Sequence, residues 1–366
     1  MGVKNITYLF GAGASYQAFP ILNELSEAIG KFFENPDFSS KIEEQKQGKS
    51  VKNPYSPESN IEYYLAYEFS ELSILSDKFN TVDTYAKMLF LNKKFKELHQ
   101  LKNNLSLFLS LWQRKTNKVK HSRPEGKKKF RNIDPRYIAL IASFVTNNQQ
   151  ISINENINFI TWNYDLQLEL AFGLFAELTD LNEIDQLFCF QPINSDSKLK
   201  VCHLNGYGGY VSSEEKKAFV LNEINFESSS IRLARQLKNN SIHKLLNSNR
   251  GDDMISFAWE NNLINKIVRT HAEKILSETD ILVIIGYSFP VFNREIDNIL
   301  FNSLLRSGKV ERIYYQSPDA NESFLRETFN IPDGNLGFAT GKVAIDKGIP
   351  IIIRTDNMDQ FVIPKH

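Results

Sequence analysis

Cysteine is scarce in this chain: Cys189 and Cys202 are the only two among 366 residues. Two thiols cannot build a disulfide framework or a four-thiolate zinc site. Both are expected to be reduced residues of the core. An excess of one charge is also missing, since 43 Lys and Arg balance 43 Asp and Glu. That balance excludes a surface given over as a whole to nucleic acid or to a membrane. No apolar run reaches the roughly 18 residues that a spanning helix needs. No charged segment followed by an apolar one opens the chain in the manner of a signal peptide. A soluble protein of the cytoplasm is the expectation. Of the six histidines, His99, His121, His243, His271 and His366 have no companions at metal-ligand spacing, and no metal site is expected. Internal repeats and low-complexity tracts are absent as well.

What the chain does have is apolar substance. Hydrophobic residues make up 42%, enough for one large domain with insertions or for two domains. Ile6 to Phe10 is an apolar strand running into Gly11-Ala-Gly13-Ala-Ser15, and Ile21 to Phe33 repeats apolar positions at helical spacing. Strand, Gly-x-Gly, helix is a geometry in which backbone N–H groups face an anion and glycine lets the main chain approach a pyrophosphate. A plain tight turn between strand and helix uses the same residues. Tyr16 stands where a dinucleotide fingerprint has its third glycine, and no acidic residue closes a second strand about 20 residues on.

Ile61 to Phe108 is helical in pattern and free of glycine, and reads as an inserted layer. Between Arg114 and Arg131 nine basic residues face one acid, Glu125. This stretch reads either as a solvated loop or as a contact for nucleic acid or an acidic partner. A helix is expected over Tyr137 to Thr146. Ile157 to Thr161 reads as a buried strand ending in Trp162-Asn163-Tyr164-Asp165. Leu199 to Gly209 is a strand that breaks at glycines, and residues 230–277 read as helical, with Trp259, Leu263, Ile264, Ile267 and Val268 on one face. Ile281 to Ile285 is a strand ending in Gly286-Tyr287-Ser288, followed by a helix from Arg294 to Leu305 and by strands Arg312 to Gln316 and Ile349 to Arg354.

Continuous apolar strands separated by helices are the mark of a parallel sheet covered on both faces. The expected fold is α/β, a doubly wound Rossmann-like parallel sheet with helical insertions. Residues 1–35, 150–175 and 278–366 would form the core. Residues 55–148 would be an inserted helical layer carrying the basic loop 114–131, and 176–277 a variable, mainly helical insertion carrying the His203 turn.

Three strands end in polar or glycine-containing turns, and in open α/β sheets ligands bind beyond the carboxyl ends of the strands. Asn163 and Asp165, at i, i+2, can both be aimed there by a turn. Asp165 can equally cap the following helix; Ser15 can be a cap and Ser288 a turn residue. His203, beside a glycine break, fits either a site residue or a hydrogen-bonded structural one.

Taken in order, Gly11-Ala-Gly13-Ala-Ser15, Thr161-Trp-Asn163-Tyr-Asp165, His203-Leu-Asn205-Gly206 and Gly286-Tyr-Ser288-Phe-Pro290 resemble the motifs of sirtuin-like domains. More narrowly they resemble the bacterial sirtuin-like NAD-degrading subunits of antiphage defence. The likeness covers about half the chain. It implies that Gly11, Ala12, Gly13 and Ser15 hold the pyrophosphate of NAD+. Gly286 and Ser288 would sit against the phosphates or the adenine-side ribose. Asn163 and Asp165 would line the nicotinamide–ribose pocket, Asn163 positioning a water near the ribose C1′. The family places a histidine directly before a glycine as general base, whereas here Asn205 precedes Gly206 and His203 lies two positions earlier. His203 and Asn205 are therefore both candidates for that position. The two cysteines cannot supply the zinc module of deacylating sirtuins, so the implied reaction is hydrolysis of NAD+ itself as an abortive-infection effector. The implied partner is a HerA-type hexameric ATPase/translocase or another sensor, with assembly into a homo-oligomer. A DNA-engaging nuclease subunit, resting on residues 114–131, and a non-catalytic binder of NAD or ADP-ribose are the alternatives.

Overall fold

The computed structural model describes residues 3–33, 55–115, 132–147, 151–192, 198–212, 217–240, 255–331 and 350–364. In chain order the elements are β1 (Ile6–Phe10), α1 (Leu22–Gly30), α2 (Pro57–Lys78), α3 (Val82–Leu91), α4 (Phe95–Arg114), α5 (Pro135–Phe144), β2 (Val145–Asn147), β3 (Ile151–Ile153), β4 (Ile157–Thr161), α6 (Gln167–Ala176) and α7 (Leu181–Phe188). There follow β5 (Val201–His203), β6 (Tyr210–Ser212), β7 (Lys217–Phe219), α8 (Val220–Glu223), α9 (Ser230–Asn239), α10 (Leu263–Ser277), β8 (Ile281–Ile285), α11 (Arg294–Arg306), β9 (Arg312–Gln316), α12 (Glu322–Phe329) and β10 (Ile351–Thr355).

Six strands form one parallel sheet in the order β10-β9-β8-β1-β4-β5. Counted along the chain within this sheet alone, that is the doubly wound order 3-2-1-4-5-6, which reverses direction between β1 and β8. The expected α/β Rossmann-like architecture is the one observed. Register brings His203, Thr161, Phe10, Ile285 and Gln316 level at one rim, so the turns that follow these residues all leave the sheet together.

The strands are apolar throughout because both faces are covered. Ile6, Tyr8 and Phe10 point to the face packed by α5, α6 and α7, while Leu9 points to the face packed by α10, α11 and α12. A third core lies outside the sheet. There α1 to α4 and α9 enclose Phe32, Phe69 and Phe108, whose ring centroids are 5.7 to 5.8 Å apart.

The boundaries correct the sequence reading at several points. The helical span from Ile61 to Phe108 is three helices, broken where Thr81 caps α3 through its hydroxyl and where Lys93 takes φ 57°. The helix expected to reach Thr146 stops at Phe144, and β-branched Val145 and Thr146 pass into β2. Among the described residues of 230–277, α9 ends at Asn239 and residues 255–262 are non-helical before α10; Val268 is buried, but Leu263 is 74% exposed rather than on a shared apolar face. Within the stretch expected as a variable insertion, β5 is a full member of the sheet. Cys202 is buried in β5, whereas Cys189, after α7, is exposed.

Candidate functional site

The glycine turn after β1 does not lead straight into an α-helix. Ala12 to Ser15 make one short 3-10 turn, and α1 begins only at Leu22, beyond Pro20. The residue before a proline is turned away from helical backbone, which separates the turn from α1. Why the positions are glycine is a matter of space. Gly11 has ordinary extended backbone, yet a Cβ there would lie 2.6 Å from the Gly286 carbonyl oxygen, and one at Gly13 would lie 2.9 Å from Gly286 Cα. The N–H of Gly11 donates to Ile285 O (3.0 Å) and that of Gly13 to Gly286 O (2.9 Å). Both amides that an anion cradle would present are thus spent on the β8 turn, and Ala12 is left exposed at the apex.

The turn after β4 meets the same place. Asn163 Nδ2 donates to Gly11 O (3.0 Å) and to Ser15 Oγ (3.2 Å). A carbonyl can only accept, so this bond fixes which end of the amide faces inward. Among the described residues nothing bonds Asn163 Oδ1. Ser15, expected as a possible cap, is buried and contacts the Tyr137 hydroxyl at 3.1 Å. Asp165 stands one residue before the α6 N-cap, and its Oδ1 accepts the Gln167 N–H at 3.1 Å. It therefore serves the helix start and faces the site at once. Burial pushes its carboxyl up to about 6, against hydrogen bonds from Ser15 and Gln167 that hold it down.

His203, at the end of β5, has both ring nitrogens engaged. Nε2 lies 2.7 Å from Glu169 Oε1 and Nδ1 lies 3.3 Å from the Asn163 carbonyl oxygen. The ring is 3% exposed and packs edge-on against Tyr207. Burial pulls its pKa down, but the Glu169 carboxylate and the Asn163 carbonyl outweigh that and raise it above the usual imidazole value. Asn205 belongs to a different neighbourhood. Its Nδ2 reaches Tyr164 Oη at 3.5 Å, and its Oδ1 is buried without a partner. Gly286 has φ +59° and packs on Gly13 and Ala14, while Ser288 is exposed on the outer part of its turn.

Gly11, Gly13, Ser15, Asn163, Asp165 and Gly286 are therefore drawn together, with His203 directly behind Asn163. Ser288 and Asn205 are joined to that group by no direct hydrogen bond among the described residues. Sequence reasoning passed over Glu169, Tyr137 and the buried Asp134–Arg136 pair, whose guanidinium donates to Ala14 O at 2.6 Å and so holds the glycine turn. Glu169 had a signal: it is the lone acid in the apolar run Leu166 to Phe172, four residues after Asp165. Of the basic stretch, Arg114 donates to Leu221 O and covers Phe226, and Lys115 donates to Phe32 O. Residues 116–131 lie outside the described residues.

The fold and this rim define a doubly wound α/β protein with its strand-end turns gathered at the point where strand order reverses. No protein-family model and no curated protein matches the chain. Among the described residues no helix is long and apolar enough to cross a membrane.

Proposed function

We propose that the chain hydrolyses NAD+ to nicotinamide and ADP-ribose, acting as an effector of antiphage defence. In this reading a partner of the HerA-type ATPase class, or assembly into a homo-oligomer, releases its activity. The observation that supports it is the meeting of the Gly11–Ser15 turn with Asn163 and Asp165 at the reversal point of the sheet, through bonds of 3.0 and 3.2 Å. Asn163 has its Oδ1 left over to hold a water, and Asp165 has a carboxyl poised to take a proton near neutrality.

In the reaction the ribosyl C1′–N bond breaks and its electron pair passes to the pyridinium nitrogen, which leaves as neutral nicotinamide. Water forms the new bond to C1′, and its proton passes to the Asp165 carboxylate and on to solvent. The leaving group is already cationic, so the protein's work is orientation, exclusion of bulk water and stabilisation of charge developing on the ribosyl ring. Ala12, Ser15, Gly286 and Ser288 would flank the diphosphate, because the Gly11 and Gly13 amides are already bonded. His203 would act from behind, since both of its ring nitrogens are committed.

That same commitment of His203, with Asn205 before Gly206, favours a second reading in which NAD+ or ADP-ribose is bound without turnover. The deciding experiment incubates the purified chain with NAD+, alone and with the product of a neighbouring gene, and follows nicotinamide and ADP-ribose by chromatography. Asn163→Ala is expected to lower the rate by roughly a hundredfold or more. A normal rate in that variant removes the site assignment, and tight calorimetric binding with no product under every condition selects the second reading.

A further inference from the structure

Glu169 is wholly buried in the first turn of α6, and one of its oxygens, Oε2, has no hydrogen-bond partner. A buried carboxylate left half-satisfied is costly unless it serves a definite contact. Here the contact is the 2.7 Å bond to His203 Nε2. The other ring nitrogen faces the main-chain carbonyl of Asn163 at 3.3 Å. The carboxylate and the carbonyl are both acceptors, so the two ring nitrogens are both satisfied only when each carries hydrogen. The carboxylate supplies the charge that keeps them so.

The consequence reaches Asn163. Its carbonyl oxygen is held by the ring, its N–H donates to Thr161 Oγ1 at 3.0 Å, and its amide spans to Gly11 and Ser15. Only the first of these anchors comes from β5, and only it passes through a titratable pair. We propose that Glu169 is a positioning residue, which fixes the His203 ring so that the ring anchors the main chain at Asn163. The catalytic consequence rests on the NAD+-cleavage reading above; the anchoring does not. The groups facing the pair are Asp165 from the β4–α6 turn, Tyr207 from the turn after β5, and Asp185 of α7 across Tyr207 and Glu169.

The test uses the full chain labelled with 15N-histidine and 15N-asparagine, as wild type, Glu169→Gln and Glu169→Ala. In the wild type the His203 ring should keep both nitrogens protonated to pH values above the free-imidazole midpoint of about 6.5. In Glu169→Gln the ring should become neutral near pH 7 with its hydrogen on Nδ1, because the amide N–H₂ can donate to Nε2 and the Asn163 carbonyl still requires a donor. The Asn163 resonances should then stay in place. In Glu169→Ala they should move, and kcat for NAD+ cleavage should fall roughly tenfold with KM changed less than about twofold, while Glu169→Gln retains kcat within about threefold. A wild-type ring that titrates near 6.5, or Asn163 resonances and kcat unchanged in a folded Glu169→Ala protein, overturns the proposal. Should Glu169→Ala fail to fold, an Asn163 displacement in Glu169→Gln overturns it as well. A wild type that yields no nicotinamide removes the NAD+-cleavage reading instead, and the resonances still decide the anchoring.

Discussion

Asp165 sits where the dipole of α6 favours a charged carboxylate and where Ser15 and the Gln167 N–H donate to it, yet burial wins and lifts it to about 6. A base at that value is half protonated in mildly acidic solution. If Asp165 takes the water's proton, kcat/KM for NAD+ cleavage should rise with pH through about 6 and level off above it, falling about tenfold per unit below. Asp165→Asn should lower the plateau by roughly a hundredfold or more and abolish the acid limb. A pH–rate profile of the two proteins between pH 4.5 and 8 reads both effects. An unchanged acid limb in the variant would assign that limb to another group. Residues at this scale were legible in the sequence when they followed a strand end directly, as Ser15, Asn163 and Asp165 do. Tyr137 was not, because it reaches Ser15 from a helix 122 positions away and looks like any buried aromatic of an amphipathic stretch.

Between elements, the decisive contact is turn on turn. The loops after β1 and β8 touch backbone to backbone, with Gly11, Gly13 and Gly286 each leaving room for the others. At Gly286 two constraints coincide: φ is +59°, and a Cβ would stand 2.3 Å from the Ala14 nitrogen. Gly308 offers a control, with φ +63° and nothing within 4 Å of its missing Cβ. Gly308→Ala should cost about 1 kcal/mol, the left-handed backbone penalty alone. Gly286→Ala should cost roughly 3 kcal/mol or more, since backbone atoms cannot turn aside as a side chain can. Urea unfolding midpoints measure the difference, and equal losses would mean that the two turns do not press on each other in solution. The glycines themselves were plain in the sequence; their reason was not. Gly-x-Gly suggested a cradle for a pyrophosphate, whereas the space it provides is filled by a neighbouring turn, a fact that requires knowing β8 to be next to β1.

Across the whole molecule the strand runs were legible because burial on both faces removes any alternation, and five of the six sheet strands were found at or near their limits. The sixth, β5, lies within the stretch Leu199 to Gly209 that reads as a strand, but its three residues are too few to show that it belongs to the central sheet rather than to an insertion. Its place at the sheet edge is set by pairing with β4, which is a long-range fact. What no local pattern shows is how many ionisable groups this packing encloses. Asp297 on α11 has burial pushing it up to about 7, although the Tyr287 hydroxyl, 2.7 Å away, donates to it and pulls the other way. Asp165 stands at about 6. Both values lie above the unfolded carboxylate, near 3.9. The unfolded chain releases these protons near pH 4, whereas the folded protein holds them to about 6 at Asp165 and about 7 at Asp297, so the stability each group contributes is greatest on the acid side and declines across its own interval with a slope of up to about 1.4 kcal/mol per unit. His203, also raised, acts in the same direction over the interval that begins above the free-imidazole value. Asp297→Asn keeps an amide beside Tyr287 but has no proton to lose. Its unfolding midpoint should therefore depend less on pH than the wild type's, with the two curves separating progressively from pH 4 and running parallel above about 7. Urea titrations at half-unit intervals measure this, and parallel curves from pH 4 onward would mean that the Asp297 carboxyl ionises in the folded protein as it does in the unfolded chain.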